Sequence, residues 1–386
     1  MGVGRFVYTP ILPLMHGQAG LSAAAGAHLA TANYAGYLIG ALAGILAPAL
    51  IRSQSVLRGS LLLLTATLAA MPLTHTTLAW EALRLSAGAA SALVFVVAAG
   101  SLLHHLRDHP AHLPGWAFGG VGAGIALSGL LVLVLRTVAD WRAAWWAAAA
   151  LTAVLAGASW NLRPEDAPAA RTAAAAGGPR THRWFGALFV SYTLEGVGYI
   201  VAGTFLVAAI AQGSPGWVGS GAWVLVGLAA VPSSALWARL GRRWSRPGLL
   251  LAALVVQAAG IALPALVGGT AVALASAVLF GATFLGVSTL ALAAGAHLRF
   301  PRSVALLTAG YSVGQILGPL LVAPLLHHGY RPALLPAALV VLAAAVAAAV
   351  LRIGFPHHMV VEGHTAASGR RESCKDADAL AAHSAN

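Results

Sequence analysis

A chain of 386 residues that is 59% apolar and only 8% charged cannot cover a water-facing surface, since ordinary soluble domains carry about 25% charged residues. The same hydrophobicity excludes a disordered chain, and 44 glycines without a three-residue period exclude a collagen-like one. The formal charge of +12 leaves nucleic acid or a membrane as partner, a choice decided by where the cations lie.

The first apolar segment, 2–15, is about two-thirds of a membrane span. It holds Arg5, Pro10 and Pro13 without an adequate apolar core, so it does not read as a cleaved signal peptide. Eleven full spans follow, near 22–50, 58–78, 80–102, 113–135, 141–161, 185–211, 216–238, 247–268, 270–295, 303–326 and 332–353. Each can cross a bilayer core about 30 Å thick. The chain thus reads as an all-α polytopic membrane protein. An N-terminal six-helix bundle takes 1–161, and a C-terminal one takes 185–354. Between them, 162–184 contains Arg163-Pro164-Glu165-Asp166 and Gly177-Gly178-Pro179 and reads as a flexible cytoplasmic linker. The polar stretch 355–386 reads as a disordered cytoplasmic tail.

Of the 22 Lys and Arg, 17 fall in every second loop or in the tail, among them Arg52, Arg58, Arg107, Arg163, Arg242 and Arg352. The intervening loops hold Arg136, Arg142 and Arg331. This positive-inside asymmetry assigns the C-terminus to the cytoplasm of a multi-pass cell-membrane protein and removes the case for nucleic acid. The single cysteine, Cys374, rules out an internal disulfide or a cysteine-based zinc site. The single lysine, Lys375, lies in the tail, which excludes a P-loop and argues against Schiff-base chemistry.

The halves repeat each other. Gly2-Val3-Gly4 recurs as Gly196-Val197-Gly198, His105-Leu106-Arg107 as His297-Leu298-Arg299, and Val121-Gly122 with Gly124 as Val313-Gly314. Six helices per half make the repeat parallel, so its pseudo-twofold axis runs along the membrane normal. Eleven residues, Phe185–Glu195, precede the second Gly-Val-Gly within its span, but only Met1 precedes the first. The first helix is therefore expected to be truncated by about three turns, with the native start upstream of Met1.

Gly2-Val-Gly4-Arg5-Phe6-Val-Tyr8-Thr9-Pro10 through Met15, Ala32-Asn33-Tyr34-Ala35-Gly36-Tyr37, Arg84 through Gly88, Gly196-Val-Gly198-Tyr199 and Gly314-Gln315 through Pro319 stand in this order. Together they resemble the signatures of the YbfB/YjiJ-like branch of the major facilitator superfamily. The resemblance implies a twelve-helix secondary transporter with the major facilitator fold and a coupling role for Arg84. One departure is the loop Ile51–Arg58, which lacks the superfamily's acidic, glycine-flanked motif.

Ionisable groups inside a bilayer are costly and default to function. Arg5, Glu81, Arg84 and Glu195 lie inside spans. Arg5 sits about 16 Å below the exit of its helix near His16, and Glu195 about 15 Å above the start of its own, so both fall near the midplane. In the implied architecture they face each other across the central cleft. Arg5 is then the binder of an anionic group and Glu195 the proton-coupling carboxylate, the two pairing and parting during transport. A static ion pair is the plainer alternative. Glu81 is three residues from Arg84 and can pair with it.

Tyr8, Asn33, Tyr34, Tyr37, Tyr192, Tyr199, Tyr311 and Gln315 complete the candidate substrate site. Tyr192, Glu195 and Tyr199 repeat at i, i+3 and i+7. Such stripes are cavity walls or interhelical hydrogen-bond glue. His104, His105, Asp108, His109 and His112 read as solvated loop residues rather than a metal site, and neither metal nor cofactor is expected. The resulting expectation is a monomeric, non-enzymatic transporter. It moves a small organic solute, with Arg5 pointing to an anionic one, by alternating access coupled to protons. The alternatives are a membrane sensor or an inactive truncated transporter.

Overall fold

Prolines and capping residues decide where the apolar runs begin and break as helices. The computed structural model describes residues 1–105, 113–164 and 181–356. Helices α1 (Gly2–Phe6) and α2 (Tyr8–Ala19) form one interrupted rod. The Val7 N–H still donates to the Val3 carbonyl, and Ile11 to Val7. Pro10 and Pro13 have no N–H to give, so the carbonyls of Phe6 and Thr9 lose their usual partners. The rod ends at Gly20, whose φ of 66° suits glycine.

Ser22 caps α3 (Ala23–Leu46) by accepting from the Ala25 N–H. Pro48 then stops the span read as 22–50, and a short helix α4 (Pro48–Arg52) turns off it. Ser53 caps α5 (Gln54–Ala70). Next come α6 (Thr77–His105), α7 (Leu113–Leu135) and α8 (Trp141–Ala158), the last capped by Asp140. The remaining helices are α9 (His182–Ala211), α10 (Gly216–Leu240), α11 (Arg246–Leu266), α12 (Thr270–His297), α13 (Ser303–Val322) and α14 (Arg331–Arg352). No strand occurs among the described residues.

Among the described residues, ten helical stretches are long and apolar enough to cross a membrane, against the eleven read from sequence. The difference is α8, whose 18 residues are diluted by Trp141, Arg142, Trp145 and Trp146. Helix α9 starts at His182, three residues into the segment assigned to the linker. Residues 165–180 of the linker, 357–386 of the tail, and Asp108, His109 and His112 of the histidine cluster lie outside the described residues. Met1–Ile353 pack as one unit, and Gly354–Asn386 are a second, described only at 354–356.

Packing repeats along the chain. Helix α6 packs on α3 and α5, and α5 on α8. Six spans later α12 packs on α10 and α11, and α11 on α14. Glycines fix the register of the repeat. A Cβ on Gly124 would fall 2.7 Å from the Gly2 Cα, and one on Gly314 would fall 2.9 Å from the Val197 nitrogen. The matching pairs are therefore Gly2 with Gly124 and Gly196 with Gly314, so the packing partner lies two residues, about half a turn, beyond the sequence match at Gly122.

The main seams between the repeated parts are α3 against α13, α7 against α10 and α2 against α9. The second brings backbones together. A Cβ on Gly122 would sit 2.6 Å from the Val231 nitrogen, and one on Gly129 would sit 2.8 Å from the Val224 nitrogen. Small residues at such contacts are how helices associate closely in lipid, where no hydrophobic force drives them together.

Candidate functional site

Arg5 leaves α1 almost completely buried, with 6% of its surface exposed. Its guanidinium carbon lies 3.9 Å from the centre of the Tyr37 ring, 5.4 Å from Phe6 and 5.5 Å from Tyr34. Its Nη2 donates to Oε1 of Gln315 on α13, and its Nε has no partner. The cation is thus held by ring faces and one amide. A desolvated cation–π contact contributes about 2 kcal/mol, and a neutral amide cancels no charge.

The hydroxyl of Tyr34 lies 2.8 Å from Thr204 Oγ1 on α9, and Thr9 Oγ1 donates to the Gly203 carbonyl at 2.6 Å. Farther along, the His16 and Tyr330 rings meet edge-on at 5.8 Å, and Phe205 packs on Tyr330 at 5.7 Å. Burial pushes the Tyr330 phenol up to about 12, so it serves as a neutral ring. These contacts join α2 and α3 to α9 and Tyr330 on the side where α2 ends.

The structure does not pair Arg5 with Glu195. Glu195 is fully buried on α9 and accepts from Nε2 of Gln257 on α11 at 3.2 Å. Both residues were placed by depth alone, and depth does not give the direction in which a side chain leaves its helix. Glu195 is four residues from Ser191, whose hydroxyl bonds the Ala344 carbonyl on α14. Tyr192 and Tyr199 instead face α13. Tyr311 stacks on Tyr192 at 4.4 Å and on Tyr199 at 5.5 Å, and Tyr199 continues to Phe284 at 5.9 Å. The expected stripe of Tyr192, Glu195 and Tyr199 is therefore split, with an aromatic ladder on one side and the carboxyl at its edge.

Arg84 does not pair with Glu81 either. Glu81 lies 3.8 Å from Nδ1 of His28. Arg84, 2% exposed, sits 5.0 Å from the Tyr8 ring centre and 6.0 Å from that of Trp145. Its Nη2 donates to the Arg5 carbonyl at 3.4 Å, while Nε and Nη1 lack partners. Tyr8 donates to the Gly26 carbonyl at 2.8 Å, and Asn33 to the Arg84 carbonyl at 2.9 Å. Tyr8 and Asn33 thus tie helices together, whereas Tyr34, Tyr37 and Gln315 surround Arg5.

Sequence reasoning missed Gln257 beside Glu195, Trp145 beside Arg84, Thr204 beside Tyr34 and Phe284 beside Tyr199. Gln257 left the clearest signal, since it is the one amide within the apolar run 246–266. A cavity of about 720 Å³, lined by none of these residues, lies between Met1, Gly2, the end of α6, the start of α7 and residues 159–163, and its lining residues Met1 and Phe95 pack against the cluster of Tyr37. Residues 182–195 of α9 precede the second Gly-Val-Gly, with Phe185 stacked on Phe300 at 4.0 Å. No group of three or more potential metal ligands occurs among the described residues.

Comparison with known proteins gives a consistent result. A family model, MFS_4, described as the uncharacterised MFS-type transporter YbfB, matches residues 1–352. No curated protein matches. Crystal structures of the nucleoside transporter NupG are similar in fold. An aspartate-to-alanine mutant aligns with a TM-score of 0.66 and 14% identity over 91% of this chain and 98% of that one. A second NupG structure aligns at 0.65 and 16% identity over 91% and 96%.

Proposed function

We propose a mechanism for this chain from the premise that it belongs to the MFS_4 family of membrane transporters, the major facilitator relatives of YbfB. It is a secondary active transporter that moves a small organic anion by alternating access, with Arg5 as the anchor for the anionic group. The observation that carries this reading is the buried Arg5, held by Tyr34, Tyr37 and Gln315 and, among the described residues, with no carboxylate within 4.0 Å of it. An isolated cation in a bilayer is costly, and a bound anion would neutralise it. The planar guanidinium suits bidentate recognition of a carboxylate or phosphate.

The repeated packing and the paired glycines support two six-helix bundles, 1–161 and 185–354, that rock about the site. The contacts closing one side support a state open towards the other. In this reading Glu195 carries the coupled proton, and Arg84 links its release to movement of the first helix through the Arg5 carbonyl. The cation distribution supports residence in the cytoplasmic membrane with the C-terminus inside, and no feature requires more than a monomer.

The test is a thermal-shift screen of the purified protein with carboxylates, phosphates and nucleosides, followed by uptake into proteoliposomes with and without a pH gradient. Uptake of an anionic hit, driven by the gradient and lost in Arg5→Ala, is the expected outcome. A hit carried equally well by Arg5→Ala would remove Arg5 from the site. Nucleosides belong in the screen because the ladder of Tyr192, Tyr311, Tyr199 and Phe284 offers ring faces. A neutral nucleoside as the best substrate would transfer the anchoring role from Arg5 to that ladder.

A further inference from the structure

We propose that Glu195 and Gln257 form a closed acid–amide pair that stores one proton. Gln257 Nε2 donates to Glu195 Oε1, and a proton on Glu195 Oε2 is donated to Gln257 Oε1. The inference rests on the transport reading only for the use to which that proton is put.

Both side chains are fully buried, and one hydrogen bond, at 3.2 Å, already joins them. Each is left with one buried oxygen without a partner, Oε2 of Glu195 and Oε1 of Gln257. Buried polar atoms in native proteins are nearly always bonded. Two orphan acceptors on the same two hydrogen-bonded side chains would both be satisfied by one donor between them. An ionised carboxylate only accepts, whereas a protonated one gains an O–H donor. One proton on Oε2 therefore satisfies both orphans and closes a planar ring of two hydrogen bonds. A bridging water would also donate to both oxygens, but it would leave a buried anion without a cation.

The surroundings support a neutral acid. Among the described residues, no Lys, Arg or His lies within 4.0 Å of the carboxyl. The titratable groups facing it are phenols, those of Tyr192 and Tyr199 on its own helix and Tyr311 on α13. The other helices packed on α9 carry ionisable residues only in their first or last turns, namely Arg239 on α10, Arg246 on α11, His297 on α12, and Arg331 and Arg352 on α14. Helix α2 brings Tyr8 and His16, which are bonded to Gly26 and Leu21.

The proton site is accordingly separate from the anion site, with the tyrosine ladder between them. Loss of the proton leaves charge on Oε2 facing the carbonyl end of an amide, so the ring opens and the carboxylate must find donors elsewhere. The tyrosine hydroxyls are the ones at hand. Helix α13 carries both Tyr311 and Gln315, so a carboxylate that draws on Tyr311 acts on the helix holding Arg5.

Infrared difference spectroscopy of the reconstituted protein tests the pair without needing a substrate. The expected result is a protonated-carboxyl carbonyl band at neutral pH that shifts in heavy water and is lost in Glu195→Gln. Glu195→Gln keeps two hydrogen bonds as an amide–amide pair and should fold. In Gln257→Met the band should move to higher frequency, because the acid loses its acceptor. A spectrum unchanged by Glu195→Gln, or a band unmoved in Gln257→Met, overturns the proposal. Flux is read separately: Glu195→Gln should lose gradient-driven uptake and keep substrate counterflow. If the band behaves as expected but no solute is carried, the pair stands and the transport reading fails.

Discussion

Arg5 and Arg84 are both buried cations, yet their surroundings ask different things of them. Arg5 meets two tyrosine rings and Gln315 from a distant part of the chain. Arg84 lies between Tyr8 and Trp145 and touches Arg5 only through its backbone. Lysine lacks the planar fork, so Arg5→Lys should raise the half-saturating substrate concentration about tenfold or more, equivalent to about 1.4 kcal/mol. Concentration-dependent uptake measures it. For Arg84→Met the expected signs are opposite for fold and function. Removing a poorly satisfied buried charge is often neutral or stabilising, so the melting temperature should hold or rise while gradient-driven uptake falls. A large drop in melting temperature would mark Arg84 as a structural strut instead.

The charged residues were legible because a charge in an apolar span stands out by itself. Their partners were less so. Tyr34, Tyr37 and Gln315 were found through their motifs, but the pairings of Arg5 with Glu195 and of Arg84 with Glu81 did not form. The azimuth of each side chain depends on helix rotation, which glycine contacts set in three dimensions. Gln257 escaped notice because a single amide in a long apolar run carries no periodicity.

Among the elements, the first rod and the α7–α10 seam depend most on particular residues. Hydrophobic runs located the helices, whereas the ends came from Ser22, Ser53, Pro48 and Asp140, which a span count does not weigh. The seam gives a direct test of glycine packing. Gly122→Leu would drive a side chain into the α10 backbone, and overpacking of this kind costs about 1–3 kcal/mol or more. Gly157 and Gly186 are helical glycines with open space around the place of a Cβ. Changing either to Ala should stabilise by about 0.5–1 kcal/mol through backbone entropy. Thermal unfolding in detergent distinguishes the two classes, and equal effects at Gly122 and Gly186 would contradict the close-packed seam.

At the scale of the molecule, the two parts of the repeat meet across Thr9 with Gly203 and Tyr34 with Thr204. On the proposed mechanism these contacts break in each cycle. Replacing Cys374, the one native cysteine, and introducing Thr9→Cys with Gly203→Cys should create a disulfide that closes this side. The space around Gly203 admits a side chain, with no atom nearer than 3.7 Å to the place of its Cβ. Uptake should stop under oxidation and return on reduction. Undiminished uptake by fully cross-linked protein would exclude opening at this point. The internal repeat made the helix order readable from sequence. The identity of the closed side could not be read there, because one sequence serves every state of the cycle.

The backbone contact between α7 and α10 also has a mechanical meaning. Two bodies that touch along a line without intervening side chains can turn about that line but cannot separate from it. The seam then acts as a bearing with a single degree of freedom. On the proposed mechanism, swinging one mouth open forces the other shut, and no geometry on that path leaves both ajar. The protein should therefore be electrically quiet. Reconstituted in a planar bilayer, it should show no unitary current steps at any voltage, even while the same preparation carries solute in vesicles.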